Sequence, residues 1–250
     1  MHSPGYRSKL LWNSLYPPKL HCSWSAANRE VLDWLLRPVV LVFVVALFSS
    51  AGLAEAGASV GFTLDFPNSI PDHYKIVIFA DGHATYDSTG RLTPDSEPPD
   101  PFHLDFQVSP ASKTKIFDLA AKAKYFEGKI DSGKKGIAST GDKTLIYEDG
   151  SRKTEAHYNF SPNSSIQELT SLFQGISTTL EFGRRLAYYH HYQKLALDEE
   201  FKRMDETNRF GEMAELQAIA PILKQIIADP TVLNVSRNRA QRLLALSGAH

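Results

Sequence analysis

His83, Asp87, His103 and Asp105 have the residue types and spacing in this chain that could do chemistry. They stand in His83-Ala-Thr-Tyr-Asp87 and in His103-Leu-Asp105. In extended chain, residues two or four apart share a face. Each pair therefore points one imidazole and one carboxylate the same way, and neighbouring strands would bring both pairs together. Such a cluster can exchange a proton or ligate a metal. Plain alternation on a half-wet strand also puts polar residues there. A hydrolase or metal-binding protein using these four residues is accordingly the alternative reading.

Other candidates fall away on geometry. His190 and His191 are adjacent on a helical stretch, about 100° apart, and cannot ligate one metal together. His190 instead continues an apolar stripe as a packing residue. Gly136-Ile-Ala-Ser-Thr-Gly141-Asp142-Lys143-Thr144 approaches the phosphate-cradling loop, but Asp142 intrudes and a strand follows where a helix is needed. Lys134, Lys135 and Lys143 beside it read as a solvated loop. No Gly-x-Ser-x-Gly elbow, His-Glu-x-x-His or EF-hand pattern occurs after residue 56. No cofactor and no metal centre are expected.

Charge is nearly balanced, with Lys+Arg 27 and Asp+Glu 28 in 250 residues. No global field draws the chain to nucleic acid. A hydrophobic content of 42% with 22% charged residues belongs to globular material. Cys22 is the sole cysteine, so an intrachain disulfide is impossible.

Residues 1–56 read as a leader. Val39 to Phe48 are ten apolar residues behind Arg37-Pro38, about half of the ~20 a membrane-spanning helix requires. Small residues follow, and Ala54 and Ala56 have the spacing of a signal cleavage site, with a mature start at Gly57. An uncleaved anchor over residues 38–54 is the alternative, and the membrane would then be met only through the leader. Met1 to Glu30 holds no usable period and reads as a poorly ordered extension, or as sequence ahead of a true start near Val31. Without the five Lys/Arg and three Asp/Glu of the leader, the remaining 194 residues carry 22 basic and 25 acidic side chains and no cysteine.

The elements that must position the His/Asp set come next. Phe62–Phe66, His73–Ala80, His83–Asp87 and Phe102–Val108 alternate or run β-branched, as strands do. Asp81-Gly82 and Asp149-Gly150 each join two such runs as hairpin turns, with both turn residues at positive φ. Ser109-Pro110 opens a helix. Ser161 or Asn163 caps a long one whose stripe is Ile166, Leu169, Phe173, Ile176, Leu180 and Leu186. Past Leu195 the charged run predicts a solvated extension. Pro221 should kink or restart the next helix, Asp229-Pro230 ends it, and a short last helix holds Ala240 and Leu243. Strands followed by helices predict an α+β fold: a small antiparallel sheet of two Asp-Gly hairpins plus further strands, one helix after Ser109 and a helical C-terminal segment. The strand-rich part is 57–162 and the helical part 163–250, packed on the sheet as one unit.

Tyr74-Lys-Ile-Val-Ile-Phe-Ala-Asp-Gly-His-Ala-Thr-Tyr86 resembles the opening of a secreted bacterial domain of unknown function, although the cysteine motif ahead of the tyrosine is missing here. Thr144 to Gly150, Ile166 to Phe173 and Glu181-Phe-Gly-Arg-Arg185 are similar to uncharacterised exported proteins of soil bacteria. That resemblance implies export, periplasmic or extracellular, and transfers no site. The leading expectation is an exported, non-catalytic binding or interaction domain for an unknown protein or small ligand, with its partner surface on the sheet or the long helix.

Overall fold

The computed structural model describes residues 57–92, 100–134 and 136–248. The leader signals, Ala54 and Ala56 included, lie outside the described residues; Gly57 is exposed at their start. The fold is α+β. Six strands, β1 (Ser59–Asp65), β2 (His73–Phe79), β3 (His83–Thr89), β4 (Phe102–Gln107), β5 (Asp142–Asp149) and β6 (Arg152–Tyr158), form one antiparallel sheet in the order β4-β3-β2-β1-β5-β6. The helices are α1 (Pro110–Lys122), α2 (Ser164–Tyr192), α3 (Leu197–Arg209), α4 (Ala220–Ala228) and α5 (Asn234–Leu246).

Both hairpins sit at the Asp-Gly pairs, but their turns differ from the expectation. In the first, Gly82 alone has positive φ (94°), closing a three-residue connection through Gly82 N to Phe79 O at 2.9 Å. The second turn has no positive φ at Asp149 or Gly150. There the Asp149 side chain does the work: its Oδ1 accepts from Ser151 N (3.1 Å), Ser151 Oγ (2.9 Å) and Arg152 N (2.9 Å).

One sheet face is dry. Val60, Phe62, Ile76, Ile78, Tyr86 and Leu145 are buried there beneath α1 and α2. Asn163 caps α2, its Oδ1 accepting from Ser165 N at 2.9 Å. The predicted stripe, Ile166 to Leu186, is fully buried or nearly so, and Phe173 stacks on Phe62 with centroids 5.2 Å apart. Ser109 caps α1 as expected (Ser112 N to Oγ, 3.2 Å), with Pro110 in the first turn. A carboxylate from far along the chain completes that cap: buried Glu215 accepts from Ser109 N at 2.6 Å, Ser109 Oγ at 2.8 Å and Ser112 Oγ at 2.5 Å.

The charged run after Leu195 is not a solvated extension. It is α3, whose Leu197, Glu200, Phe201 and Met204 are buried against the rest of the fold. Its acids are spent on partners: Arg239 Nη1 of α5 reaches Asp205 at 2.9 Å and its Nε reaches Asp198 at 3.2 Å. Pro221 restarts rather than kinks. A 3₁₀ turn at Leu216–Ile219 precedes α4, and the proline falls in the first turn of α4, where a missing N–H costs nothing.

Gly183 sits where α2 meets that 3₁₀ turn, and a Cβ there would run into Ile219 Cγ2. Gly183→Ala should destabilise by about 1–2 kcal/mol, overpacking outweighing the gain in helix propensity. Denaturant unfolding checks this; unchanged or higher stability would contradict the close approach.

Candidate functional site

The strand register brings the four sequence candidates together. Asp87 pairs with His103, and Thr85 with Asp105, on the sheet face turned away from the helices. His103 Nδ1 lies 2.7 Å from Asp87 Oδ1; its Nε2 lies 3.5 Å from Asp105 Oδ2, and His83 Nε2 lies 3.5 Å from Asp105 Oδ1. The chain Asp87–His103–Asp105–His83 is therefore continuous. It is also wet: these side chains are 40–61% exposed, and none of them lines a described cleft. Among the described residues no group of three His, Cys, Asp or Glu is placed to hold a metal ion. The cluster is a ladder on an open surface, without the concavity that would exclude water from a reaction.

That ladder is part of a larger pattern. His73 Nδ1 meets Asp65 at 2.5 Å, and His157 Nε2 meets Glu155 at 3.0 Å, on the same face. One row of it crosses all six strands: His157, Thr144, Thr63, Lys75, Asp87, His103.

Two other candidates are placed differently. His190 is half-buried and bonds Asp229 at 3.0 Å, while Lys194 reaches the same carboxylate at 2.7 Å. Donation from Lys194 and Thr231 holds the Asp229 carboxyl well below the usual range. Lys143 leaves the solvated loop assigned to it. It is buried, donating to Thr140 O, Thr140 Oγ1, Gly141 O and Asn159 O at 2.7–3.1 Å, and burial lowers its pKa. Lys143 is thus a strut closing the loop onto β6.

The residues missed by pattern lie under the other face. Glu181 of α2 is buried against the sheet, and its Oε1 accepts from Tyr86 Oη (2.8 Å) and Ser88 Oγ (2.7 Å) of β3. Its Oε2 faces Arg184 Nη1 at 3.6 Å, and Arg184 Nη2 reaches Asp100 at 2.7 Å. Ser177 Oγ adds a 3.0 Å bond to Tyr86 Oη. Burial, and then the Glu181 charge, push the Tyr86 phenol far up; burial does the same to Tyr74. Phe173, Ser177 and Glu181 recur every fourth residue, so a carboxylate at apolar-stripe spacing was the signal available in the sequence.

Above this network lies an open cleft of about 510 Å³, between α2 and the β1–β2 connection. Leu64, Phe66, Ile70 and Pro71 form its apolar wall. Gln174, Thr178, Glu181 and Arg185, spaced four, three and four along α2, form the polar ridge opposite. Gly211 and Glu212 also line it. The volume falls in the ~300–1,000 Å³ range of small-molecule sites. No protein-family model matches the chain, and a search of curated proteins finds no match.

The 2.7 Å bond to Asp87, the largest influence, raises the His103 pKa above its ordinary value of 6.5. Its sign follows: the pairing favours the fold at acidic pH and is lost as pH rises through the raised value. Asp87→Asn should lower the His103 midpoint, read by NMR titration of its ring protons. An unmoved midpoint would mean that the pair does not persist in solution.

Proposed function

We propose that this chain is an exported, non-catalytic binding domain whose small ligand occupies the cleft between α2 and the β1–β2 connection. The observation that carries the reading is the cleft itself, in which an apolar wall faces a polar ridge on a rigid helix. Ligand pockets combine these two ingredients, apolar contact for affinity and a few fixed polar groups for orientation.

The groups beneath the cleft favour binding over chemistry. Ser177 is bonded to a phenol, and that phenol is held protonated by its burial, so no base activates the hydroxyl. Glu181 Oε1 already accepts two hydroxyl donors, and its Oε2 faces Arg184. Nucleic acid fits poorly, since among the described residues that line the cleft Arg185 is the one cation and no basic stripe crosses it. Export is supported by the leader pattern, in which Arg37 precedes a short apolar run and small residues end at Ala56.

Two measurements test this. A thermal-shift screen of the purified protein against small organic ligands should yield compounds whose stabilisation disappears in Thr178→Trp, which fills the cleft from its half-exposed ridge, but persists in His103→Asn on the open sheet face. A ligand at 100 times its Kd adds about 2.7 kcal/mol of stability. Equal shifts in Thr178→Trp and wild type would refute the cleft. For export, mass determination should place the mature amino end at Gly57; intact chain retained in purified membranes would refute cleavage.

A further inference from the structure

We propose that Arg185 makes the cleft a receptor for molecules with an apolar body and a terminal carboxylate, an inference that rests on the cleft reading above. Arg185 ends the polar ridge and lines both this cleft and the adjoining groove of about 410 Å³ over Phe182 and Phe210. Its Nε donates to Glu200 at 2.6 Å, and Glu200 is fully buried, so the guanidinium is anchored from behind. The guanidinium also stacks on the Phe182 ring, 4.6 Å from its centroid. Its two Nη groups have no protein acceptor among the described residues. An anchored planar fork with free N–H groups matches a carboxylate in bidentate fashion.

The local charge permits an anion. Glu200 is shared by Arg185 and Arg203, one carboxylate for two guanidiniums. The neighbouring Arg184 is occupied with Asp100 and Glu181, and Glu181 is in turn engaged by Tyr86 and Ser88. Glu212, which lines both the cleft and the adjoining groove, and Glu206 in that groove are the exposed carboxylates that oppose an incoming anion. Along the opposite wall, Phe66 and Ile70 are 38% and 53% exposed, apolar surface that an apolar body would cover. From Gln174 to Arg185 the ridge runs about 16 Å at 1.5 Å per residue, room for a chain of several carbons or a few amino acids.

A fatty acid, an acylated amino acid and a peptide carboxyl terminus share this chemistry, and three probe pairs separate them. Octanoate against octanamide, N-acetyl-leucine against its amide, and a leucine-ended tetrapeptide against its amidated form would be titrated calorimetrically into the purified protein. At least one acid should bind tenfold or more tighter than its amide. Arg185→Gln should abolish that preference and leave the amide's affinity in place, whereas Glu212→Gln should strengthen the acid alone. If Arg185→Gln fails to fold, the wild-type pairs and Glu212→Gln still decide. Acid and amide binding alike, with both lost in Thr178→Trp, would overturn the carboxylate inference and leave the cleft standing. An acid preference that survives Arg185→Gln would overturn the role of Arg185. Binding by none of the probes would overturn the inference, and binding indifferent to Thr178→Trp would overturn the cleft reading as well.

Discussion

Burial of a carboxylate between α2 and the sheet is the constraint on which the rest of this structure depends. A charge removed from water is tolerated only when partners satisfy it. Glu181 therefore requires Tyr86 and Ser88 from β3 and Arg184 from its own helix at fixed positions. Apolar packing by itself is less selective, because a stripe of leucine and isoleucine accepts several rotations of a helix on a sheet. The stacked Phe62–Phe173 pair and the hydroxyl donors on Glu181 together leave α2 one rotation and one height. That seating also fixes the ridge of Gln174, Thr178 and Arg185 opposite the apolar wall of the β1–β2 connection.

The two sheet faces solve different problems. Beneath the helices every polar group needs a partner in the protein. On the outer face, water supplies the partner, and the histidine–carboxylate pairs there contribute little to stability. Their effect is on charge. With histidines neutral, Asp65, Asp87, Asp105, Asp142, Glu148 and Glu155 face Lys75 and Lys153. Protonation of His103, which its bond to Asp87 favours, adds a positive charge among these acids, so the potential of this face responds to pH at that residue.

The C-terminal helices act as a brace for the sheet-covering layer. Glu215, with φ of 59°, turns a carboxylate onto the first turn of α1, joining residues more than a hundred apart in sequence. Arg239 clamps α5 to two acids of α3, and Glu200 reaches back from α3 to Arg185. The same Glu200 contact that holds α3 to α2 orients the guanidinium at the mouth of the cleft. Structural and candidate binding roles thus meet in one buried side chain.

The α+β class, the strands, the capped helix after Ser109 and the buried stripe of α2 were legible in the sequence, because alternation, 3.6-residue periodicity and capping are local properties of the chain. So were the face shared by His83 with Asp87 and the face shared by His103 with Asp105, since strand parity fixes each pair, whereas the β3–β4 register joins the two. What parity could not decide is whether that face is dry or wet, which depends on the side of the sheet that α1 and α2 cover. Charge pattern misled at α3, where Asp198 and Glu200 read as solvated, though Arg239 and Arg185 from elsewhere in the fold pair with them. Lys143 and Glu215 carry no local mark of burial, and Glu181 carries only its place at the apolar spacing of α2. The hydroxyl donors to Glu181 and Glu215 stand far off along the chain, Lys143 is held by the loop just before it and by Asn159 past the next strand, and only the folded arrangement supplies the hydrogen bonds that make their desolvation affordable.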